Sequence, residues 1–194
     1  MPDGLIGVAI SAASASEALE KISFAEGLGI SAAWLTSGSG GGEAVAVLSA
    51  AAVDTDTILL GTSIVQTWSR HPVALAQQAQ VVANLAPGRF RLGIGPSHKA
   101  SMESVFGADF RAPLGHLSEY IDIIKPLIQQ ASVEYEGRWY SANANISGPM
   151  DVPVMTSALR PRAFEFAGSK SDGVISWVCP HFYLRDIAMP ALQE

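Results

Sequence analysis

The chain reads as an α/β protein built on a parallel sheet, and two observations carry that reading. Short apolar runs alternate with helix-like segments about six times along its 194 residues, the pattern of right-handed strand–helix–strand crossovers. The segments that follow the strands, SGSGGG, QTWSRHP, GPSH and SALRP, are small, polar or turn-forming, so chemistry collects along one edge of the sheet. Such a sheet is either doubly wound or curled into a barrel. A closed (β/α)8 barrel has eight units and typically about 250 residues. The pattern here supplies about six units, two short of closure.

Taken in order, residues 5–10 form a short apolar run that suits a buried parallel strand. Ser14 and Glu17 have capping-box spacing and open a helix whose apolar face is Ala18, Leu19, Ile22 and Ala25, with Gly27 or Gly29 ending it. Residues 30–36 are a second strand. The glycine-rich loop at 36–42 precedes a small-residue helix over 43–53, an arrangement that suggests a phosphate cradle. Gly38 and Gly40 have Glu43 where the dinucleotide fingerprint needs a third glycine, so a flexible rim loop is expected instead. Residues 57–65 are a third strand, β-branched and broken by Gly61. Pro72 starts a helix running to Leu85, Gly88 closes it, and a strand begins at Arg89. No clean periodicity covers 100–112. Leu114, Leu117, Ile121, Ile124 and Ile128 then keep helical spacing, with Pro126 expected to kink or shorten the last turns. Residues 132–146 are a small excursion. A fifth strand at 152–157, a short helix at 161–168, a sixth strand at 173–178 and a final helical segment at 182–192 complete the chain. The whole of 1–194 is expected to be one domain, with the excursion between the fourth and fifth strands at about 100–150.

Composition narrows the function classes. An apolar fraction of 48% with 15% charged residues describes a globular chain. A net charge of −6 argues against non-specific nucleic-acid binding. No uncharged apolar run of about 18 residues suggests a membrane span, and the acidic, non-basic N-terminus does not read as a signal peptide. A cytoplasmic location is therefore expected. The single cysteine, Cys179, excludes an internal disulfide framework and any CxxC site, and the four histidines share no metal-ligand spacing. No metal is expected.

The stretch RFRLGIGPSH, residues 89–98, is the centre of the expected site. Gly93 and Gly95 let a ligand approach the backbone, and a hydroxyl (Ser97) and an imidazole (His98) follow at once. An imidazole titrating near neutrality suits proton transfer, so His98 is the candidate catalytic residue. His71, beside Pro72, reads as a helix-start residue, and His116 and His181 as surface residues. Trp34 and Trp139 are assigned to the core, while Trp68 and Trp177 lie at strand exits where they would wall a ring pocket. Gln66 and Thr67 are placed to hydrogen-bond a ring edge or to satisfy loop backbone groups. Glu119 is expected in a structural salt bridge. Arg70, Arg160 and Arg162 are candidate anion contacts, ordinary surface pairing being the commoner outcome. Cys179 reads as inert.

The run GTSIVQTWSRHPVALAQQAQVVANLAPGRFRLGIGPSH resembles the luciferase-like flavin and deazaflavin oxidoreductases. HLSEYIDIIKPLI, VEYEGRWYS, VPVMTSALRPRAFEFAG and SDGVISW extend the match over nearly the whole chain. GPSH, with RFRLGIG before it and an SEY helix after it, is most similar to the branch that uses coenzyme F420. The resemblance implies a TIM-type barrel with a flat tricyclic ring across the strand ends. It implies a non-prolyl cis peptide at Ser63-Ile64, ring contacts from Ser63, Ile64, Gln66, Gly95, Ser97, His98 and Trp177, and a phosphate loop at Ser157, Ala158, Leu159 and Arg160. The cofactor implied is coenzyme F420, with FMN the alternative, and the activity is hydride transfer to or from a small organic substrate. Two departures stand out. Arg160 replaces the family's usual glycine, and Ser37-Gly38 stand where some deazaflavin dehydrogenases carry an Asp-His pair, so sugar-phosphate chemistry is not expected. His98 sits where some relatives place a catalytic glutamate. A second reading is a truncated, non-catalytic flavin-binding paralogue or a dimerising partner subunit. Either way a homodimer, or completion of the barrel by another chain, is expected, with no nucleic-acid or membrane partner.

Overall fold

The computed structural model describes residues 6–37 and 42–193. The expectations for Leu5 and for Gly38 and Gly40 of the rim loop lie outside the described residues. Along the chain come β1 (Gly7–Ile10), α1 (Ala15–Gly27), β2 (Ala32–Leu35), α2 (Ala44–Asp54), β3 (Leu59–Thr62), β4 (Val65–Gln66) and α3 (Pro72–Leu85). Then follow β5 (Phe90–Gly95), α4 (Lys99–Phe106), α5 (Pro113–Gln130), β6 (Ser132–Glu136), β7 (Ser141–Asn145), β8 (Val154–Ser157), α6 (Pro161–Lys170) and β9 (Gly173–Ile175). A helical tail of α7 (His181–Tyr183), a π turn at Leu184–Ala188 and α8 (Met189–Gln193) completes the described fold.

The sheet is parallel and runs β1-β2-β3-β5-β8-β9, with β4 continuing the line of β3 against β5. Strand order follows chain order without reversal, so the doubly wound alternative is excluded and the sheet is an incomplete (β/α) barrel of six strand positions. Its two faces differ. Ala33, Leu35, Leu60, Phe90, Leu92, Ile94 and Val154 are buried in one core with the helices. The alternate residues face the lumen, as a two-residue period requires.

Local chemistry explains the helix starts. Ser14 Oγ accepts from the Glu17 amide at 3.2 Å, and Glu17 reaches back to the Ala13 amide at 2.7 Å, the capping box expected for α1. Glu43 is the N-cap of α2 and accepts from the Ala46 amide at 2.9 Å. Pro72 occupies the first turn of α3. The excursion is the β6–β7 antiparallel hairpin.

Three expectations are corrected. The third strand breaks at Ser63-Ile64, not at Gly61; Gly61 is a lumen position whose missing Cβ makes room for the Trp34 ring. Residues 99–106, without apolar periodicity, still form α4, which buries only Met102 and ends on Gly107 with φ +64°. α5 runs four residues past Pro126, to Gln130, so of the two outcomes expected of the proline, shortening is the one overturned. Its buried face, Leu117, Tyr120, Ile121, Ile124, Leu127 and Ile128, gains about 1.5–3 kcal/mol per large side chain, comparable to the cost of an interior proline.

Candidate active site

The strands end together at one rim. Register places Gln66 opposite Gly95, Ile94 opposite Thr156 and Ser157 opposite Ile175. Gln66, Gly95, Ser157 and Ile175 therefore form one lumen-facing layer across β4, β5, β8 and β9. The layer is tight at its centre. A Cβ at Gly95 would strike Ser157 Oγ and come within 3.2 Å of Ile64 Cδ1, and one at Gly93 would strike Ile175 and the Thr62 carbonyl. Lower in the lumen, the Trp34 ring covers Gly61 and approaches Gly7, and Met155 lies over Gly173. Trp34, assigned to the core from sequence, is thus a lumen side chain. Arg91, opposite Gly61, also faces the lumen; its guanidinium reaches the Phe90 carbonyl at 3.3 Å and pairs with no carboxylate among the described residues.

The β3–β4 junction is built by an extra residue. The chain advances four residues from Gly61 to Val65 while β5 advances three from Arg91 to Ile94, which is a bulge. Thr62 Oγ1 closes the gap: it donates to the Gly93 carbonyl and accepts from the Gly93 amide, both at 2.8 Å. The Ser63-Ile64 peptide is cis. Its flanks are held by β2, the Ser63 amide donating to Leu35 O at 2.8 Å, Thr36 Oγ1 to Ser63 O at 2.8 Å and the Ser37 amide to Ile64 O at 3.3 Å.

Beyond Gly95 the backbone turns sharply, with Ser97 at φ 61°, an uncommon conformation for a residue with a side chain. His98 follows, exposed, as the N-cap of α4 with no side-chain cap bond. On β8, Ser157 is half-buried, whereas the Ala158 side chain is buried with Phe164, so only its backbone can serve a ligand. Leu159 and Arg160 are exposed, and Arg160 is the N-cap of α6. Trp177 is 65% exposed beyond β9. Ser63, Ile64, Gln66, Gly95, Ser97, His98 and the start of the Ser157 loop therefore share one rim. Ile175 was missed from sequence. Its signal was the two-residue alternation with Gly173, hidden in a strand of three residues.

Several neighbouring side chains have structural duties. Gln66 Nε2 donates to Ser37 O at 2.6 Å. Ser37, 4% exposed, donates to Glu43 and accepts from the Ala44 amide, each at 3.2 Å. Arg70 pairs with Glu43 at 3.1 Å and donates to Gln78 at 2.8 Å, the ordinary pairing that sequence favoured. His71 Nδ1 accepts from the Val73 amide at 3.3 Å, confirming it as a helix-start residue. His116 overturns its expectation. It is 2% exposed, stacked on Trp68 with centroids 3.5 Å apart, and burial pulls its pKa down to about 4. Trp68 is consequently a partner of His116. Glu119 makes no salt bridge among the described residues; its carboxylate accepts from the amides of Arg138 and Trp139, both at 2.9 Å, and Tyr140 at 3.2 Å.

Among the described residues no three His, Cys, Asp or Glu side chains are grouped to hold a metal, and no helix is long and apolar enough to cross a membrane.

The sequence model of the luciferase-like monooxygenases matches residues 5–194. The F420-dependent glucose-6-phosphate dehydrogenase of Beutenbergia cavernae is 36% identical over 172 residues, 83% of this chain and 50% of that protein. The 5,10-methylenetetrahydromethanopterin reductase of Archaeoglobus fulgidus is 27% identical over 156 residues, 79% of this chain and 47% of the other. Among solved structures, the coenzyme F420 dependent tetrahydromethanopterin reductase of Methanopyrus kandleri has the same fold, with a TM-score of 0.85 at 24% identity over 97% of this chain and 60% of that one. The chain spans about half the length of the curated relatives it matches.

Proposed function

Because the chain belongs to the luciferase-like monooxygenase family, on the side whose curated relatives include F420-dependent oxidoreductases, we propose that its rim binds a deazaflavin, coenzyme F420, for hydride transfer with a small organic substrate. The observation that carries this reading is the layer of Gln66, Gly95, Ser157 and Ile175. A flat ring needs a level floor, and Gly95 allows one by letting Ser157 and Ile64 close over its backbone beside Ile175. The residues present fit such a group. Ile64 and Ile175 offer apolar contact, Gln66 Oε1 and the Ser97 and Ser157 hydroxyls offer polar contacts at the ring edge, and the 157–160 loop leads into the start of α6. The cofactor, when bound, supplies the hydride chemistry.

The protein's own part is placement and proton handling. The β2 hydrogen bonds hold the Ser63-Ile64 segment against the lumen, and Ile64 and Ile175 exclude water from one side of the ring. His98, exposed and uncommitted to its helix, is the residue proposed to give or take a proton at the substrate. Arg160 is proposed to pair with the cofactor phosphate in place of the backbone approach a glycine would allow. Ser37, engaged in starting α2, supports a substrate other than a sugar phosphate.

Fluorescence titration with F420 and with FMN tests the reading. F420 is expected to bind wild type, and Gly95→Val to bind it at least tenfold more weakly. Absence of binding to wild type defeats the reading; preference for FMN replaces the cofactor. A second reading, a cofactor-binding unit that is inactive until completed by a partner or a second copy, is favoured by β1 and β9, each paired on one side only among the described residues.

A further inference from the structure

The β6–β7 hairpin lies outside the barrel sheet, yet it is held by α5 and reaches the segment after β4. Glu119 of α5 grips its turn through three backbone amides. The grip requires a glycine at 137, since a Cβ there would strike the Glu119 carboxylate and approach the Tyr135 ring. Past the turn, Tyr140 Oη lies 2.7 Å from His116 Nε2 and 3.4 Å from the Thr67 carbonyl, and Thr67 Oγ1 lies 3.5 Å from His116 Nδ1. Thr67 directly follows Gln66 of the lumen layer. Trp68, next along, is clamped between His116 and Phe110, whose centroids are 3.5 and 5.4 Å away.

One proton arrangement uses every polar atom of this ring. Thr67 Oγ donates to His116 Nδ1, His116 Nε2–H donates to Tyr140 Oη, and Tyr140 Oη–H donates to the Thr67 carbonyl. The opposite tautomer leaves the Thr67 carbonyl without the tyrosine, and its hydroxyl needing another acceptor. The closed arrangement therefore grips both the backbone and the side chain of Thr67. With the indole stacked on the same imidazole, it fixes the turn that aims Gln66.

We propose that the β6–β7 hairpin is a strut that holds the Gln66–Trp68 turn in place through Tyr140 and His116. The two are positioning residues for a cofactor they do not touch. The proposal rests on the rim reading above for its functional consequence, while the mechanical part stands independently. A role in stacking or space-filling alone predicts that His116→Phe is the milder substitution. A hydrogen-bonded ring predicts that His116→Gln, which donates and accepts, is milder.

Amide hydrogen exchange across residues 66–70 in the full chain decides the mechanical part. Tyr140→Phe is expected to raise exchange there about tenfold while α1 amides stay unchanged, and His116→Gln to disturb it less than His116→Phe. Should Tyr140→Phe fail to fold, Thr67→Val breaks the ring from the other side. Unchanged rim exchange, an equal rise in α1, or His116→Phe proving the milder change each overturns the strut. In parallel, F420 and its riboside lacking the phosphate tail are titrated. Tyr140→Phe is expected to weaken both about tenfold, and weakening of F420 alone overturns positioning at the ring. If wild type binds neither, the cofactor reading fails while the exchange data still decide the strut.

Discussion

His116 is neutral at physiological pH because its ring is buried against Trp68, and the charge of Glu119 only partly offsets that burial. Its pKa near 4 lies below the value of about 6.5 of an unfolded histidine, so between those pH values the unfolded chain holds more protons. Stability attributable to this residue is complete above about pH 6.5 and is lost as pH falls toward 4, on the order of 3 kcal/mol in all. Denaturant unfolding at pH 7.5 and pH 5 should show a smaller pH dependence for His116→Gln than for wild type, and equal slopes would contradict the assignment. The glycines act at the same scale by omission. Gly61, Gly93 and Gly95 each leave space that Trp34, Ile175, Ser157 or Ile64 already fills, so even one methyl group forces repacking of about 1–3 kcal/mol.

Carboxylates organise the elements by collecting backbone amides. Glu26 accepts from the amides of Asp56, Thr57 and Ile58 at 3.0, 2.6 and 2.8 Å, holding the α2–β3 turn to α1. Arg89 works from the other side of that turn, donating to the carbonyls of Ile58 at 3.0 Å and Thr55 at 2.8 Å. Glu119 does for the hairpin what Glu26 does for the turn. Removing it by Glu119→Ala strips three amides of their acceptor at a half-buried site, and water replaces part of the loss. We expect about 1–2 kcal/mol of destabilisation, with faster exchange at the Arg138–Tyr140 turn ahead of β7. A chemical denaturation curve and exchange mapping measure both, and a loss below about 0.3 kcal/mol would remove Glu119 from this role.

At the scale of the whole molecule, β3, β5 and β8 have strand neighbours on both sides while β1 and β9 have one each among the described residues. Edge strands expose unpaired backbone groups and open more readily. The amides of β1 and β9 are therefore expected to exchange at least tenfold faster than those of β5, read by mass spectrometry or NMR at low protein concentration. Protection of β9 that rises with protein concentration would show a second copy covering that edge. Trp177, Val178 and Phe182, exposed at 65%, 83% and 55%, leave apolar surface on the segment that follows β9.

Periodicity and caps, which depend on neighbours in the chain, were enough to locate six strands, the main helices, an excursion between the fourth and fifth strands and the edge where the strand-end loops gather, whereas Ser63 came only from the family resemblance. Ser14 with Glu17, and Pro72 after His71, carry their helix starts in adjacent residues. Other features depend on residues far apart in sequence. The helix neighbours of His116 point to a surface position because they do not reveal that Trp68 and Tyr140, 48 and 24 positions away, enclose it. Ile175 joined the lumen layer, and Gly61 proved to be space for Trp34, through strand register, which pairs positions that no local pattern relates. Local sequence set the starts of α1 and α3 and the apolar face of α1; tertiary packing decided where the third strand breaks, how far α5 runs past Pro126 and which polar groups meet, because burial and long-range hydrogen bonds exist only once the strands have assembled.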